Sequence, residues 1–252
     1  SVIGLMSGTS GDGLDIAFCE FEKKENWTFQ IQRSETVSFP KNMGKKLKKS
    51  HLMNGYQLSL LDVEFGQWMG EQVRDFVQNN GLEVEAVASH GHTVFHQPSK
   101  KLSLQIGNGW ALHTACGIPV INDFRMLDVQ LGGQGAPLVP IGDKLLFSEY
   151  DYCINLGGIA NISMDLEDKR IAFDICPFNL LLNHFAEICG KPYDKNGKLA
   201  KKGKLLKKVL KQLNNLPYYQ IEGAKSLGRE DLDDYLKILE GSGKHKPENV
   251  LH

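Results

Sequence analysis

An α/β fold in two lobes is what the sequence predicts, and three observations carry that reading. Short apolar runs alternate with stretches of helical periodicity along most of the 252 residues. Polar residues gather where the apolar runs finish, which in open α/β sheets is where ligands bind. A strand, Gly-Gly, strand pattern over 152–163 repeats the pattern at the start of the chain, roughly 150 residues on, which suits a duplicated domain rather than a solenoid. The expected lobes are 1–147 and 148–252, the second incomplete.

Residues 2–6 and 14–20 read as the two strands of a hairpin joined by Ser7-Gly8-Thr9-Ser10-Gly11-Asp12-Gly13. Strand-like alternation continues over 27–39 in Phe29, Ile31, Val37 and Phe39. Leu58, Leu61, Phe65, Trp68, Val73 and Phe76 keep helical spacing, and Asn79-Asn80-Gly81 makes a natural stop. A short apolar strand over 84–89 delivers His90 at its end, and another over 102–106 precedes Gly107-Asn108-Gly109. A helix over 110–116 leads into Ile118-Pro119-Val120-Ile121. In the second lobe, 170–175 is a strand and 177–189 a helix, with proline early and Gly190 after it. Leu199, Leu205, Val209 and Leu213, spaced among lysines, predict an amphipathic surface helix within 195–211. A last helix is expected over 230–239.

Lys and Arg number 29 against 30 Asp and Glu, so neither nucleic acid nor an anionic membrane is attracted by overall charge. The five cysteines (Cys19, Cys116, Cys153, Cys176, Cys189) are odd in number and form no Cys-x-x-Cys pair, which fits a reducing compartment. No signal peptide is evident, and no apolar run approaches the ~20 residues that cross a bilayer. A soluble cytoplasmic protein is expected, and the sequence leaves a homodimer open.

Four polar clusters carry the chemistry. In the first turn, Gly8, Gly11 and Gly13 let backbone N–H groups point inward around a phosphate, Thr9 and Ser10 add hydroxyls, and Asp12 and Asp15 suit a divalent cation. A capped hairpin turn is the plainer alternative. His90, His92 and His96 admit a metal site, a hydrogen-bonded loop, or a substrate-facing loop at a strand end. Arg125 offers a planar fork for a carboxylate or phosphate, or an ion pair with Asp123. Asp174, at the end of the apolar Ile171-Ala172-Phe173, suits a general base of tuned pKa, or else caps the following helix.

Taken together, the chain resembles the anhydro-N-acetylmuramic acid kinase family of the actin/hexokinase/Hsp70-like ATPases. The resemblance rests on Gly4-Leu5-Met6-Ser7-Gly8-Thr9-Ser10-x-Asp12-Gly13-x-Asp15, Ser89-His90-Gly91-x-Thr93-Val94-Phe95-His96-x-Pro98 and Leu104-Gln105-Ile106-Gly107. It continues through Asp123-Phe124-Arg125-x-x-Asp128, Gly132-Gly133-Gln134-Gly135-Ala136-Pro137, Asn155-x-Gly157-Gly158-Ile159-Ala160-Asn161, Gly190-Lys191-Pro192-Tyr193-Asp194 and Lys225-Ser226-x-Gly228-Arg229-Glu230. These segments follow family order and cover nearly the whole chain.

The resemblance implies a two-lobed, actin/hexokinase-like (ribonuclease H-like) fold whose lobes share a nucleotide cleft. It implies hydrolysis of the 1,6-anhydro ring of anhydro-N-acetylmuramic acid with phosphorylation at O6, using ATP and Mg2+, in cell-wall recycling. By motif, Gly8, Thr9, Ser10, Gly11, Asp12, Gly13, Leu14 and Asp15 would wrap the ATP phosphates, with Asp12 and Asp15 near the metal. Asp174 matches the catalytic base, and Thr93, Gln105 and Arg125 would face the sugar. A non-catalytic sugar-binding relative, a kinase of another amino sugar, and a metallohydrolase built on His90, His92 and His96 are the alternatives.

The chain departs from the family's pattern in places. The base is followed by Ile175-Cys176-Pro177-Phe178-Asn179 where Thr-Gly-Pro-Gly-Asn is usual, and Asn183 replaces a common aspartate. His92 replaces a glutamine, and Met126-Leu127 part of a basic run. Family members also continue well past the equivalent of His252, into a part expected to carry nucleotide-base contacts, a later Gly-rich loop and a further acidic sugar contact.

Overall fold

A computed structural model describes residues 1–7, 13–136, 138–167, 169–228, 231–241 and 245–252. The chain divides into two units, Ser1–Leu138 and Val139–His252.

In the first unit, β1 (Val2–Ser7), β2 (Gly13–Lys23) and β3 (Trp27–Ser38) form an antiparallel meander. After α1 (Lys41–Lys48) and the long α2 (Gly55–Asn80), β4 (Ala86–Ser89) lies parallel to β1. A separate hairpin of β5 (His92–Gln97) and β6 (Leu102–Ile106) follows, then α3 (Gly109–Cys116), β7 (Val120–Ile121) and α4 (Met126–Gln130). The sheet order is β3-β2-β1-β4-β7. Alternation with period two sends Ile3, Leu5, Leu14, Ile16 and Val87 to one face of the sheet. There they bury against Phe65, Met69 and Val73 of α2 and Leu112 of α3.

Helix α2 starts where the Asn54 side chain accepts the Gln57 N–H, and it stops at Gly81, whose φ of 60° only glycine adopts cheaply. Two interior glycines let α3 come close. A Cβ on Gly66 would lie 2.4 Å from the Asn108 carbonyl oxygen, and one on Gly70 2.5 Å from that of Leu112.

In the second unit, α5 (Pro140–Leu146) precedes β8 (Tyr152–Leu156), β9 (Ile159–Leu166) and β10 (Lys169–Pro177), an antiparallel sheet ordered β10-β9-β8. This reproduces the β3-β2-β1 meander, the repeat that the sequence pattern predicts. Helices α6 (Asn179–Ile188), α7 (Lys207–Asn214), α8 (Leu232–Gly241) and α9 (Pro247–Leu251) pack around Phe185, Val209, Leu239 and Leu251.

The structure departs from the sequence reading in four places. The division falls after Leu138 rather than 147, because α5 packs on β9 and β10, where Asp143 accepts the Ser163 hydroxyl. The residues after His90 are not a loop but strand β5, paired with β6. Helix α6 begins at Asn179, since Pro177 still pairs with Ile159. The expected helix within 195–211 is broken into two single turns and α7. Asn196 and Gly197 have positive φ there, and Gly203 runs so close to α9 that a Cβ would lie 2.0 Å from the Glu248 carbonyl. Among the described residues, no helix is long and apolar enough to cross a membrane.

Candidate active site

Strand register builds a shelf on the first unit's sheet. Gly4 pairs with Ala17 on β2 and with Ala88 on β4, so three small residues stand side by side on the face away from α2. One step further along, Met6 pairs with Asp15, and His90 follows directly on β4. A cavity of about 330 Å³ lies over this shelf, lined also by Phe124 and Leu138.

Asp15 projects from β2 as an exposed carboxylate. Its cross-strand partner Thr36 donates a hydroxyl hydrogen bond to Oδ1 at 2.6 Å. The segment Gly8, Thr9, Ser10, Gly11 and Asp12 lies outside the described residues, whereas Gly13 and Leu14 open β2 as buried residues.

At the end of β4, His90 and Arg125 meet: the Arg125 Nε–H donates to His90 Nε2 at 3.0 Å. The other ring nitrogen, Nδ1, lies 3.0 Å from the Gly91 carbonyl, which can only accept. Nδ1 therefore carries the proton and Nε2 the lone pair, which is the neutral imidazole. Burial and then the Arg125 charge both hold the His90 pKa below its ordinary value. Arg125 Nη1 donates to the Gly135 carbonyl at 2.6 Å. The Gly135 N–H in turn goes to Asp128 Oδ2 at 2.6 Å, so the Gly-rich segment is folded onto the turn that carries Arg125.

Thr93 and Gln105 face each other across the β5–β6 hairpin, Gln105 Nε2 lying 3.4 Å from Thr93 Oγ1 and 3.0 Å from Ser103 Oγ. A Cβ on Gly91 would lie 3.3 Å from Gln105 Cβ, so this pair adjoins the His90 turn. The structure thus gathers Asp15, Thr93, Gln105 and Arg125 in one unit.

The histidine metal site is overturned. His90 engages Arg125, His92 Nδ1 shares a hydrogen bond with the Ser7 hydroxyl, and His96 Nδ1 shares one with that of Ser103. Among the described residues, no group of three or more His, Cys, Asp or Glu side chains is placed to hold a metal. The metallohydrolase reading falls with it.

Asp174 belongs to the second unit, where it is 6% exposed on β10. It sits at a bulge: Asp174 pairs with Asn161 and Cys176 with Ala160, a local irregularity of the kind that re-aims a side chain. Its Oδ2 accepts the Leu227 N–H at 2.8 Å, and its own N–H donates to the Lys225 carbonyl at 3.0 Å. Tyr218 donates its hydroxyl to the Asp174 carbonyl at 2.6 Å. Burial and the Asp174 charge push the Tyr218 pKa far up, so the phenol stays a donor.

Asp174 does not cap α6. That helix has no side-chain cap, and its first N–H groups instead donate to carbonyls of the Gly157-Gly158 turn. Sequence reasoning missed Thr36, Tyr218 and the role of Gly135. Thr36 and Tyr218 are far from their partners along the chain and carry no local signature, whereas Gly135 lay inside a quoted motif.

The family model described as anhydro-N-acetylmuramic acid kinase matches residues 1–250 of this chain. A protein of that name from Shewanella putrefaciens is 37% identical over 242 residues, covering 90% of this chain and 65% of the relative. Those from Sulfurimonas denitrificans and Francisella tularensis subsp. novicida are each 33% identical. They cover 90% and 99% of this chain, and 64% and 71% of the relatives. The chain spans about two thirds of the length of the curated relatives it matches.

Proposed function

The chain belongs to the anhydro-N-acetylmuramic acid kinase family, and from that premise we propose that the protein phosphorylates this sugar during cell-wall recycling. The match over residues 1–250 is the observation that carries the reading. The setting of Asp174, a buried carboxylate at an irregularity of the strand and held by a backbone amide, supports it.

The reaction joins anhydro sugar, ATP and water into a sugar 6-phosphate and ADP. Asp174 takes a proton from water as the water oxygen bonds to the anomeric carbon. The C1–O6 bond breaks, O6 takes the electron pair and attacks the γ-phosphorus in line, and ADP leaves. A carboxylate in this role needs a fixed direction more than high basicity, and the Leu227 amide and the backbone bonds at Asp174 supply that direction.

Arg125 pairs with the lactyl carboxylate of the muramic acid, a planar acceptor matched to a guanidinium. Thr93 and Gln105 hydrogen-bond the sugar. Gly8, Thr9, Ser10, Gly11, Asp12, Gly13 and Leu14 wrap the phosphates of ATP. The exposed carboxylate of Asp15 is the hard oxygen donor that Mg2+ favours, and with Asp12 it would hold that ion. When bound, the ion neutralises phosphate charge. ATP use and five free cysteines fit the cytoplasm as the place of reaction.

Replacing Asp174 by Asn keeps the shape and removes the base. Asp174→Asn is expected to lower kcat by about 10²–10⁴-fold with sugar affinity little changed, read by steady-state kinetics and calorimetry. Undiminished turnover would refute the assignment.

A further inference from the structure

His90 lines the cavity over the β1–β2–β4 shelf and at the same time touches Arg125, so it connects two parts of the site. Both carbonyls that organise this pair come from glycines in the left-handed region. Gly91, at φ 71°, turns its carbonyl back onto His90 Nδ1, and a Cβ there would lie 2.6 Å from the Ile106 carbonyl oxygen. Gly135, at φ 62°, aims its carbonyl at Arg125 Nη1, and a Cβ there would lie 2.6 Å from Val129 Cγ2. The imidazole is thereby set in one tautomer with its lone pair toward Arg125.

We propose that His90 is a positioning residue, which as the neutral imidazole holds the Arg125 guanidinium in the orientation that meets the carboxylate of the substrate. The inference rests on the reading of Arg125 as the contact to that carboxylate. Protonation at Nε2 would set one N–H against another, break the hydrogen bond and add like-charge repulsion. The charged and titratable groups that face His90 include Arg125 from the turn before α4, His92 on β5 and Asp15 on β2 across the cavity. The neighbouring Gly4, Leu5 and Met6 of β1, together with Phe124 and Leu138, bring none. Burial and the Arg125 charge keep His90 neutral down to below the ordinary histidine value of about 6.5, so its protonation and the loss of this contact belong to acid solution.

The test compares wild type, His90→Leu, His90→Gln and Arg125→Ala by calorimetry with the anhydro sugar and with its carboxamide analogue, and by kinetics from pH 5 to 8. A hydrogen bond to a charged group corresponds to roughly a tenfold or larger change in affinity. His90→Leu is expected to raise KM and Kd by about that factor while kcat changes little. His90→Gln, whose side-chain oxygen replaces the Nε2 acceptor and does not titrate, is expected to restore affinity. It is also expected to lack the loss of affinity in acid that is expected of wild type. The carboxamide analogue is expected to bind wild type and His90→Leu alike.

Unchanged affinity in His90→Leu would overturn the inference, as would a His90→Gln variant that binds as poorly as His90→Leu. If Arg125→Ala also binds normally, the reading of Arg125 fails first. If Arg125→Ala is weak and His90→Leu is not, the positioning role alone fails.

Discussion

Asp174 and Tyr218 lie 44 residues apart in sequence, yet the phenol holds the backbone of the carboxylate that we assign as base. Removing one hydrogen bond at a buried carbonyl costs about 1–3 kcal/mol when the acceptor is left unsatisfied. Tyr218→Phe is therefore expected to lower Tm and to lower kcat more than it raises KM, checked by melting and steady-state kinetics. Equal melting and unchanged kcat would show that the phenol does not position the base. In the sequence Asp174 stood out as a charge closing an apolar strand just before a helix, a place that suits a base or a cap, and the structure removes the cap. Its holders did not stand out. A phenol reaching back across the fold, or Thr36 reaching Asp15 across strand register, depends on pairings that local sequence does not encode. His90 was visible only as one histidine among three, and its separation from a metal cluster required the geometry of Gly91 and Arg125.

Among the elements, α2 was readable because its apolar residues recur with a period near 3.6 and a glycine ends it. Its two interior glycines, Gly66 and Gly70, are contact points for α3. Gly66→Ala would place a methyl 2.4 Å from the Asn108 carbonyl and force α3 outward, at about 1–3 kcal/mol. For a chain of this size that lowers Tm by roughly 2–10 °C. Gly55→Ala, with open space around the added Cβ, serves as control and is expected to melt no lower than wild type. Equal melting of the two variants would contradict the close packing. The basic stretch before α7 was misread for the opposite reason. Its apolar spacing is helical, but the approach of Gly203 to α9 decides the backbone, and that contact spans 45 residues. Helix α9 escaped notice because five residues hold too little periodicity to read.

At the scale of the whole molecule, two antiparallel meanders of the same order head the two units, as the repeated strand–turn–strand pattern indicated. The first sheet goes on to β4 and β7, which bring His90 and the turn of Arg125 to the cavity. The second carries Asp174 on β10. The boundary between the units could not be read to the residue, because α5 is joined to the second sheet by a tertiary hydrogen bond and not by composition. The central claim is that this fold opens an anhydro sugar and phosphorylates the oxygen it releases. Mass spectrometry of the sugar after incubation with ATP and Mg2+ tests it most directly. Wild type is expected to form a product heavier by one phosphoryl group and one water, in equal amount with ADP, and Asp174→Asn to form it about 10²–10⁴-fold more slowly. ADP released without a phosphorylated sugar, or a phosphorylated sugar whose anhydro ring is intact, would contradict it.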